Sequence, residues 1–483
     1  MSEKEEKEGD VELRDPQGPI IESDDYPMRV LAGAGTGKTF TMVRKVEHLI
    51  KNGVSPENVL TLTFTNKAAD SMRGKLNEKL GPDGYDVDAY TYHSICHELL
   101  SEYAYHAGVD PGYDIVTDTE RNLLILETLD EMEYRFIKPA VFDNDSVGSG
   151  VGDKLVGFIT SMKSEGITPS DLNEYLPDAE RLVELEEMVD RIEESAGEAV
   201  RVSWRKIDAE RLSEDIVGGI QELSRLIEEE RAELFDSGAE GDVEEYLRAM
   251  EETCTSLERA AEKNRAEILE GEVVAFHKLP AFLFGAYSNA PTGIPDIEFT
   301  LTGKLRSFIE SCQKARDLTQ GYEEYEKRLD ENDSLDFDDL VLRTIELLED
   351  PEIRDAISDR WDYVFCDEFQ DTDTIQFELV SNLVSEDRLF VVGDDDQAIY
   401  EWRGANIENI ARRLSSAFPE LNDESLEENF RSKQPILDLA NDAIERLDGR
   451  GSDKRLEAVG ERKEAVDGVA TVSGFDDEED QAG

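Results

Sequence analysis

The sequence is poor in positive charge. It has 51 Lys and Arg against 114 Asp and Glu, only five His, a formal net charge of −63 and a pI near 4.3. So few cations exclude a protein that grips nucleic acid mainly through a basic surface, because such contacts also weaken steeply as salt rises. Cysteine is scarce too. Cys96, Cys254, Cys312 and Cys366 are scattered with no CxxC pair, which excludes a disulfide framework and suits a reducing cytosol. His93, Cys96 and His97 lie close together, but with no second ligand cluster a metal centre is not the expected reading. No run of 18 apolar residues exists, so no transmembrane helix is expected. The first ten residues, MSEKEEKEGD, have no apolar h-region and do not read as a signal peptide. A cytoplasmic protein without membrane contacts is the expectation.

What remains is substantial. The 483 residues are enough for about three domains, and 39% are hydrophobic, enough for large cores. Such acidity in a chain with a globular apolar fraction fits either disorder or a cytoplasm with molar salt. The strand and helix patterns described next argue against disorder for most of the chain. At molar salt the Debye length falls to about 3 Å, so dense carboxylates repel little and keep the surface hydrated. A halophile, and an archaeon in particular, is the expected source. A DNA-binding protein in brine must then rely on stacking and hydrogen bonds more than on phosphate contacts.

Residues 1–13 read as an acidic tail. Met28–Leu31 is a short apolar run before a Gly-rich loop, and Thr39–Ile50 has helical spacing at Met42, Val43, Val46, Leu49 and Ile50. Val59–Phe64 is a second strand, with a helix opening at Asn66. Strand, loop, helix and strand in this order begin a parallel α/β sheet. Residues 172–270 are rich in Glu and helical in pattern. Leu182, Leu185, Val189 and Ile192, and again Leu247, Met250, Cys254, Leu257 and Ala261, keep 3-4-3 spacing. That spacing fits a helical hairpin or short coiled coil. It also fits solvated amphipathic helices packed on a neighbouring domain, the preferred reading. Residues 278–296 read as a loop. Tyr363–Cys366 and Leu389–Val392 return to the strand pattern, each followed by acidic residues, so the helical region reads as an insertion in the sheet domain.

Ala32-Gly33-Ala34-Gly35-Thr36-Gly37-Lys38-Thr39 is a P-loop pattern with Ala in place of the first Gly. Gly35 and Gly37 allow a nest of backbone N–H groups around phosphates. Lys38 is placed to reach the β- and γ-phosphates of ATP, and the Thr39 hydroxyl to ligate Mg²⁺. A P-loop also needs carboxylates at the end of a neighbouring strand. Asp367-Glu368-Phe369-Gln370-Asp371 follows Tyr363–Cys366 directly. Asp367 suits metal binding and Glu368 the polarisation of an attacking water. An acidic pair alone means little in so acidic a chain; after a strand and beside a P-loop it means more.

Further segments follow in order: Thr63–Ala69, Thr91-Tyr92-His93-Ser94, Gly393–Tyr400 with Trp402-Arg403-Gly404, and Asn429-Phe430-Arg431-Ser432. With the P-loop and Asp367–Asp371, this ordered set resembles the helicase motifs of the UvrD/Rep/PcrA superfamily 1 DNA helicases, over a stretch from about Gln17 to the last residue. The resemblance implies an α/β fold: a RecA-like P-loop NTPase domain with a parallel sheet, a large helical insertion and the start of a second RecA-like domain. The expected boundaries are 14–105 and 331–425 for the ATP-binding domain, 106–330 for the insertion and 426–483 for the partial second domain.

The resemblance also implies roles. Gln17 resembles the glutamine that reads adenine, Gln397 the residue that senses the γ-phosphate, and Arg431 the arginine finger. Phe64, Tyr400 and Trp402 resemble the aromatics between which bases stack, core packing being the alternative for each. Thr91, His93, Asp339 and Arg403 are expected along the DNA, Asp339 through the segment Asp336–Leu340. ATP and Mg²⁺ are the implied cofactors, with single-stranded DNA and duplex junctions as partners and 3′-to-5′ unwinding in repair or replication as the implied activity. Nothing after Ser432 resembles the family's last two motifs, although Lys454-Arg455-Leu456, Gly468–Val472 and Phe475–Gly483 resemble the start of the second domain. A fragment, a split gene product or an interrupted reading frame is therefore expected, with a second chain as one candidate source of the missing motifs. The alternatives are a non-motor ATP- and DNA-binding module, and the helicase part of a recombination nuclease.

Overall fold

A computed structural model describes residues 17–132, 135–137, 150–200, 209–236, 243–255, 301–397, 409–445 and 454–463. The chain forms two compact units. The first comprises residues 1–127, 152–168 and 325–483, the second residues 128–151 and 169–324.

The first unit is built on a parallel sheet of six strands: β1 (Met28–Ala32), β2 (Val59–Thr63), β3 (Asp88–Thr91), β4 (Tyr363–Cys366), β5 (Leu389–Gly393) and β6 (Asn422–Leu426), in the spatial order β3-β2-β4-β5-β1-β6. Its inner strands read as unbroken apolar runs because both faces are covered. Val364, Cys366, Leu389 and Val391 pack to one side with Tyr92, Leu340 and Leu379. Met28, Val30, Phe365, Phe390 and Val392 pack to the other with Met42, Val46 and Met72. The alternation along β4 and β5 follows from the two-residue period of a strand. This is the RecA-like parallel α/β arrangement expected from the sequence.

Edge strand β6, with the sequence NDESL, carries almost no apolar signal. It is pinned to β1 by register: Arg29 lies opposite Asp423, and its guanidinium donates to both carboxylate oxygens at 2.7 and 2.8 Å. The Arg29 side chain is nearly buried, while Asp423 remains more than half exposed. The chain then continues into a two-residue strand, β7 (Glu428–Asn429), which pairs in parallel with β8 (Glu457–Ala458).

In the second unit, the 3-4-3 residues of the acidic helices pack together. Leu182, Leu185, Val189 and Ile192 lie on α1 (Ala179–Val200). They share one core with Leu223 and Ile227 of α2 (Ala209–Asp236), with Leu247, Met250 and Cys254, and with Leu305 and Ile309 of α3 (Gly303–Glu331). These helices thus bury their stripes against one another inside their own unit, which corrects the preference for packing on a neighbouring domain. Leu257, Ala261 and the 278–296 loop lie outside the described residues.

Candidate active site

The C-terminal ends of β1, β4 and β5 lie side by side, because β4 and β1 flank β5. Ligands of open parallel sheets bind at these ends. The loop after β1 brings Gly35 (φ 78°) and Gly37 (φ 90°) into the left-handed region. Both glycines are required by φ, and Gly35 by contact as well. A Cβ on Gly35 would lie 2.6 Å from Cβ of Arg431, and one on Gly37 would lie 2.9 Å from Nε2 of Gln17. The helix Lys38–Lys51 starts directly after Gly37 and has no side-chain cap. Its first N–H groups and its dipole face the loop, the arrangement that favours an anion. Gln17 is buried and donates from Nε2 to the Thr36 carbonyl at 3.1 Å. Ala32 fills the first P-loop position as the fully buried last residue of β1.

The carboxylates after β4 meet this loop. Lys38 Nζ lies 2.6 Å from Glu368 Oε2, and Thr39 Oγ1 donates to Asp367 Oδ2 at 3.1 Å. Glu368 is held at φ 51°, a conformation that costs a non-glycine residue about 1–3 kcal/mol and that clusters at functional sites. Gln370 donates from Nε2 to Glu368 Oε2 at 2.9 Å. Burial raises the Asp367 carboxyl above its usual range, with Glu368 adding to the rise and Lys38 and Thr39 opposing it. Burial and then Glu368 push Asp371 up to about 6. The Thr39 hydroxyl and the Asp367 carboxylate are hard oxygen donors in contact with one another, a pair that suits Mg²⁺.

The segment after β6 closes over the same loop. Phe430 N–H donates to the Gly35 carbonyl at 2.8 Å. Buried Asn429 donates from Nδ2 to the Ala34 carbonyl and accepts at Oδ1 from the N–H groups of Arg431 and Ser432. Arg431 is exposed and starts directly beside Gly35. Gln397 donates from Nε2 to Asp394 Oδ2 at the end of β5.

The residues expected to touch DNA are placed unevenly. Phe64 is half-buried just after β2. Thr91 ends β3 and is buried; its hydroxyl accepts from Ser94 N–H in a capping box that starts the helix Tyr92–Glu102. His93, on the first turn of that helix, meets the Phe337 ring edge-on at 5.7 Å between centroids. Burial lowers its pKa, against a weaker opposing pull from Asp336. Asp339 is 4% exposed. One carboxylate oxygen takes Lys163 Nζ at 2.6 Å and the other the Asp336 N–H at 3.0 Å. Its position at the third residue of a capped helix, Phe337–Leu348, explains this internal bonding. A direct contact of Asp339 with DNA does not fit such a placement. Tyr400, Trp402 and Arg403 lie outside the described residues, as do 468–472 and 475–483. Cys96 is buried in the core with its thiol pushed up to about 12 by burial, and His97 Nδ1 lies 2.6 Å from the Tyr113 hydroxyl.

Sequence reasoning gave no role to Gln370, Asn429 or Lys454. All three stand inside segments singled out above, but each also bonds a residue distant in sequence: Gln370 to Asp394, Asn429 to Ala34 and Lys454 to Asp394.

A glycine-rich loop, an acidic pair and the segment Asn429–Ser432 meet at the strand ends of a parallel sheet, an arrangement of RecA-like type. The UvrD/REP helicase N-terminal domain matches residues 13–213 and 186–418, and the chain belongs to that family. Among curated proteins it is similar to the ATP-dependent DNA helicase PcrA of Staphylococcus aureus, 24% identical over 433 residues, covering 89% of this chain and 39% of the relative. It is equally similar to PcrA of Staphylococcus epidermidis, 24% identical over 466 residues, 93% of this chain and 44% of the relative. The chain thus spans about two-fifths of the length of these relatives.

Proposed function

We propose that this chain is the ATP-hydrolysing portion of a DNA helicase that moves on single-stranded DNA. The observation that carries the reading is the meeting of Lys38 with Glu368 and of Thr39 with Asp367 at the ends of β1 and β4. Family membership and the PcrA relatives support it.

In this reading Lys38 places its charge against the β- and γ-phosphates of ATP, while Gln17 sits beside the loop for the base. Thr39 and Asp367 would hold Mg²⁺, which supplies charge neutralisation at the phosphates when bound. Glu368 takes the proton of the attacking water, and Gln370 fixes its carboxylate. Arg431 stabilises charge on the transferring group, and Gln397 senses its presence. Residues 14–105 and 331–425 form the ATP-binding domain, 106–330 the insertion and 426–483 the start of a second RecA-like domain. Phe64, His93, Tyr400, Trp402 and Arg403 line the strand, while Thr91 and Asp339, both buried and engaged in helix caps, act through their neighbours. Movement is 3′-to-5′, in DNA repair or replication, within the cytoplasm of a halophilic archaeon. A second chain can supply the remaining helicase motifs.

The DNA part has its own test. Trp402→Ala is expected to weaken single-stranded DNA binding by about 1–3 kcal/mol, the cost of one lost base stack. The loss should persist in molar KCl, because stacking releases no counterions. Fluorescence anisotropy with a labelled oligonucleotide measures it. Unchanged affinity with a lower melting temperature would make Trp402 a core residue.

A further inference from the structure

Three consecutive acidic residues follow β5. Asp394, Asp395 and Asp396 bring carboxylate oxygens within 4.8 Å of one another, and Asp394 and Asp395 are buried. Buried like charges at this spacing are costly unless neutralised. A cation of this chain stands against them and offsets part of that charge. Lys454, 5% exposed, places Nζ 2.5 Å from Asp394 Oδ1 and 3.3 Å from Asp396 Oδ2, and also bonds Asp395 Oδ1. Burial alone would lower the ammonium pKa; Asp394 and Asp395 outweigh it and hold it above the ordinary value.

Two connections give this cluster a consequence. The first leads to the catalytic carboxylate. Asp394 N–H donates to Gln370 Oε1 at 2.8 Å, and Gln370 Nε2 donates to Glu368 Oε2 at 2.9 Å. Gln370 is 2% exposed and packs close against Gly393, where a Cβ would lie 2.4 Å from Ile410 Cδ1 and 2.8 Å from Gln370 Oε1. The second leads to the phosphate loop. Two residues beyond Lys454, the Leu456 side chain packs where a Cβ on Gly33 would lie, 2.4 Å from it. Asn441 fixes that segment by bonding both the N–H and the carbonyl of Leu456, at 3.1 and 3.0 Å. The stretch 454–456 therefore touches the P-loop with one side chain and the end of β5 with another.

We propose that Lys454 is a positioning residue for ATP hydrolysis, setting the placement of Glu368 through Asp394 and Gln370 and so coupling the segment after β7 to the water-activating carboxylate. This rests on the ATPase reading above. When 454–456 sits on the phosphate loop, Lys454 offsets part of the charge of the three carboxylates, Asp394 keeps its place and Gln370 holds Glu368. When that segment withdraws, the three carboxylates repel and the end of β5 shifts, taking Gln370 with it.

The test uses the full chain carrying Lys454→Met, Lys454→Arg, Gln370→Leu and the double variant Lys454→Met with Gln370→Leu. For DNA-stimulated ATP hydrolysis, Lys454→Met and Gln370→Leu should each lower kcat about 10- to 100-fold, the scale for losing a carboxylate's placement, with KM for ATP nearly unchanged. The double variant should be no slower than the worse single one, and Lys454→Arg should recover most of kcat. An unchanged kcat, or independent losses that multiply in the double variant, would overturn the proposal. Hydrogen exchange read by mass spectrometry gives an answer without turnover. Lys454→Met should speed exchange at Glu368–Asp371 as well as at Asp394–Gln397, whereas acceleration confined to Asp394–Gln397 would show that the link to Glu368 does not exist. Should Lys454→Met fail to fold, the charge-neutral Gln370→Leu carries both measurements. A parent chain that hydrolyses no ATP while exchange couples as described would sink the ATPase reading and leave the link standing.

Discussion

Glu368→Gln is expected to bind ATP and hydrolyse almost none of it. The carboxamide keeps the shape of the side chain and can still meet the Gln370 amide, but it cannot accept the proton of an attacking water. Loss of a general base costs about 10²- to 10⁴-fold in rate, or about 3–5 kcal/mol in the barrier. Binding should persist or tighten. In the parent chain Lys38 Nζ is paired with Glu368 Oε2 at 2.6 Å; removing the negative charge leaves the ammonium free for phosphate. Equilibrium binding of a fluorescent ATP analogue and single-turnover phosphate release separate the two effects. Loss of binding together with turnover would assign Glu368 to structure or to metal holding.

Lys38→Ala should abolish measurable turnover by a different route. Lys38 contributes a charge where negative charge on the transferring phosphoryl group is largest. Removing one such preorganised electrostatic contact costs about 10²- to 10³-fold or more in kcat. The nucleotide should also bind more weakly, unlike in Glu368→Gln. The fold should survive, because the partner left behind, Glu368, has a side chain 38% exposed and keeps its bond from Gln370. Circular dichroism melting and steady-state phosphate release measure both sides. Hydrolysis at the parent rate would mean that residues 32–39 are an ordinary glycine-rich turn.

What was legible in the sequence was whatever local pattern encodes. Four strands of the sheet stand out as apolar runs because both their faces are covered, and the observed β1, β2, β4 and β5 lie within a residue of the expected runs. β3 and β6 were not read. β3 is a four-residue stretch at one edge, with Asp88 and Tyr90 only half-buried. β6 is acidic and stands at the other edge, held by the Arg29–Asp423 pair, a bond across 394 residues that no local pattern reveals. The phosphate loop and the acidic pair were legible as motifs, since loop conformation and strand-end position are local properties. Their meeting was not, because it depends on sheet order, with β5 between β4 and β1. Asp339 shows the converse. Its motif suggested DNA, but a carboxylate at the third position of a capped helix is drawn into the cap, and buried Lys163 takes its other oxygen. Lys454 stood out only as part of Lys454-Arg455-Leu456; its pairing did not, because its partners lie about 60 residues earlier and become its neighbours only once the chain returns to the end of β5.

The central claim is that this site hydrolyses ATP in response to a single strand of DNA. The most direct measurement is steady-state phosphate release in molar KCl, with and without an oligothymidylate, for the parent chain and for Glu368→Gln. With a second chain supplying the remaining helicase motifs, release is expected to rise on adding the oligonucleotide and to disappear in the variant. Release that is indifferent to the oligonucleotide, or that survives in Glu368→Gln, would contradict it.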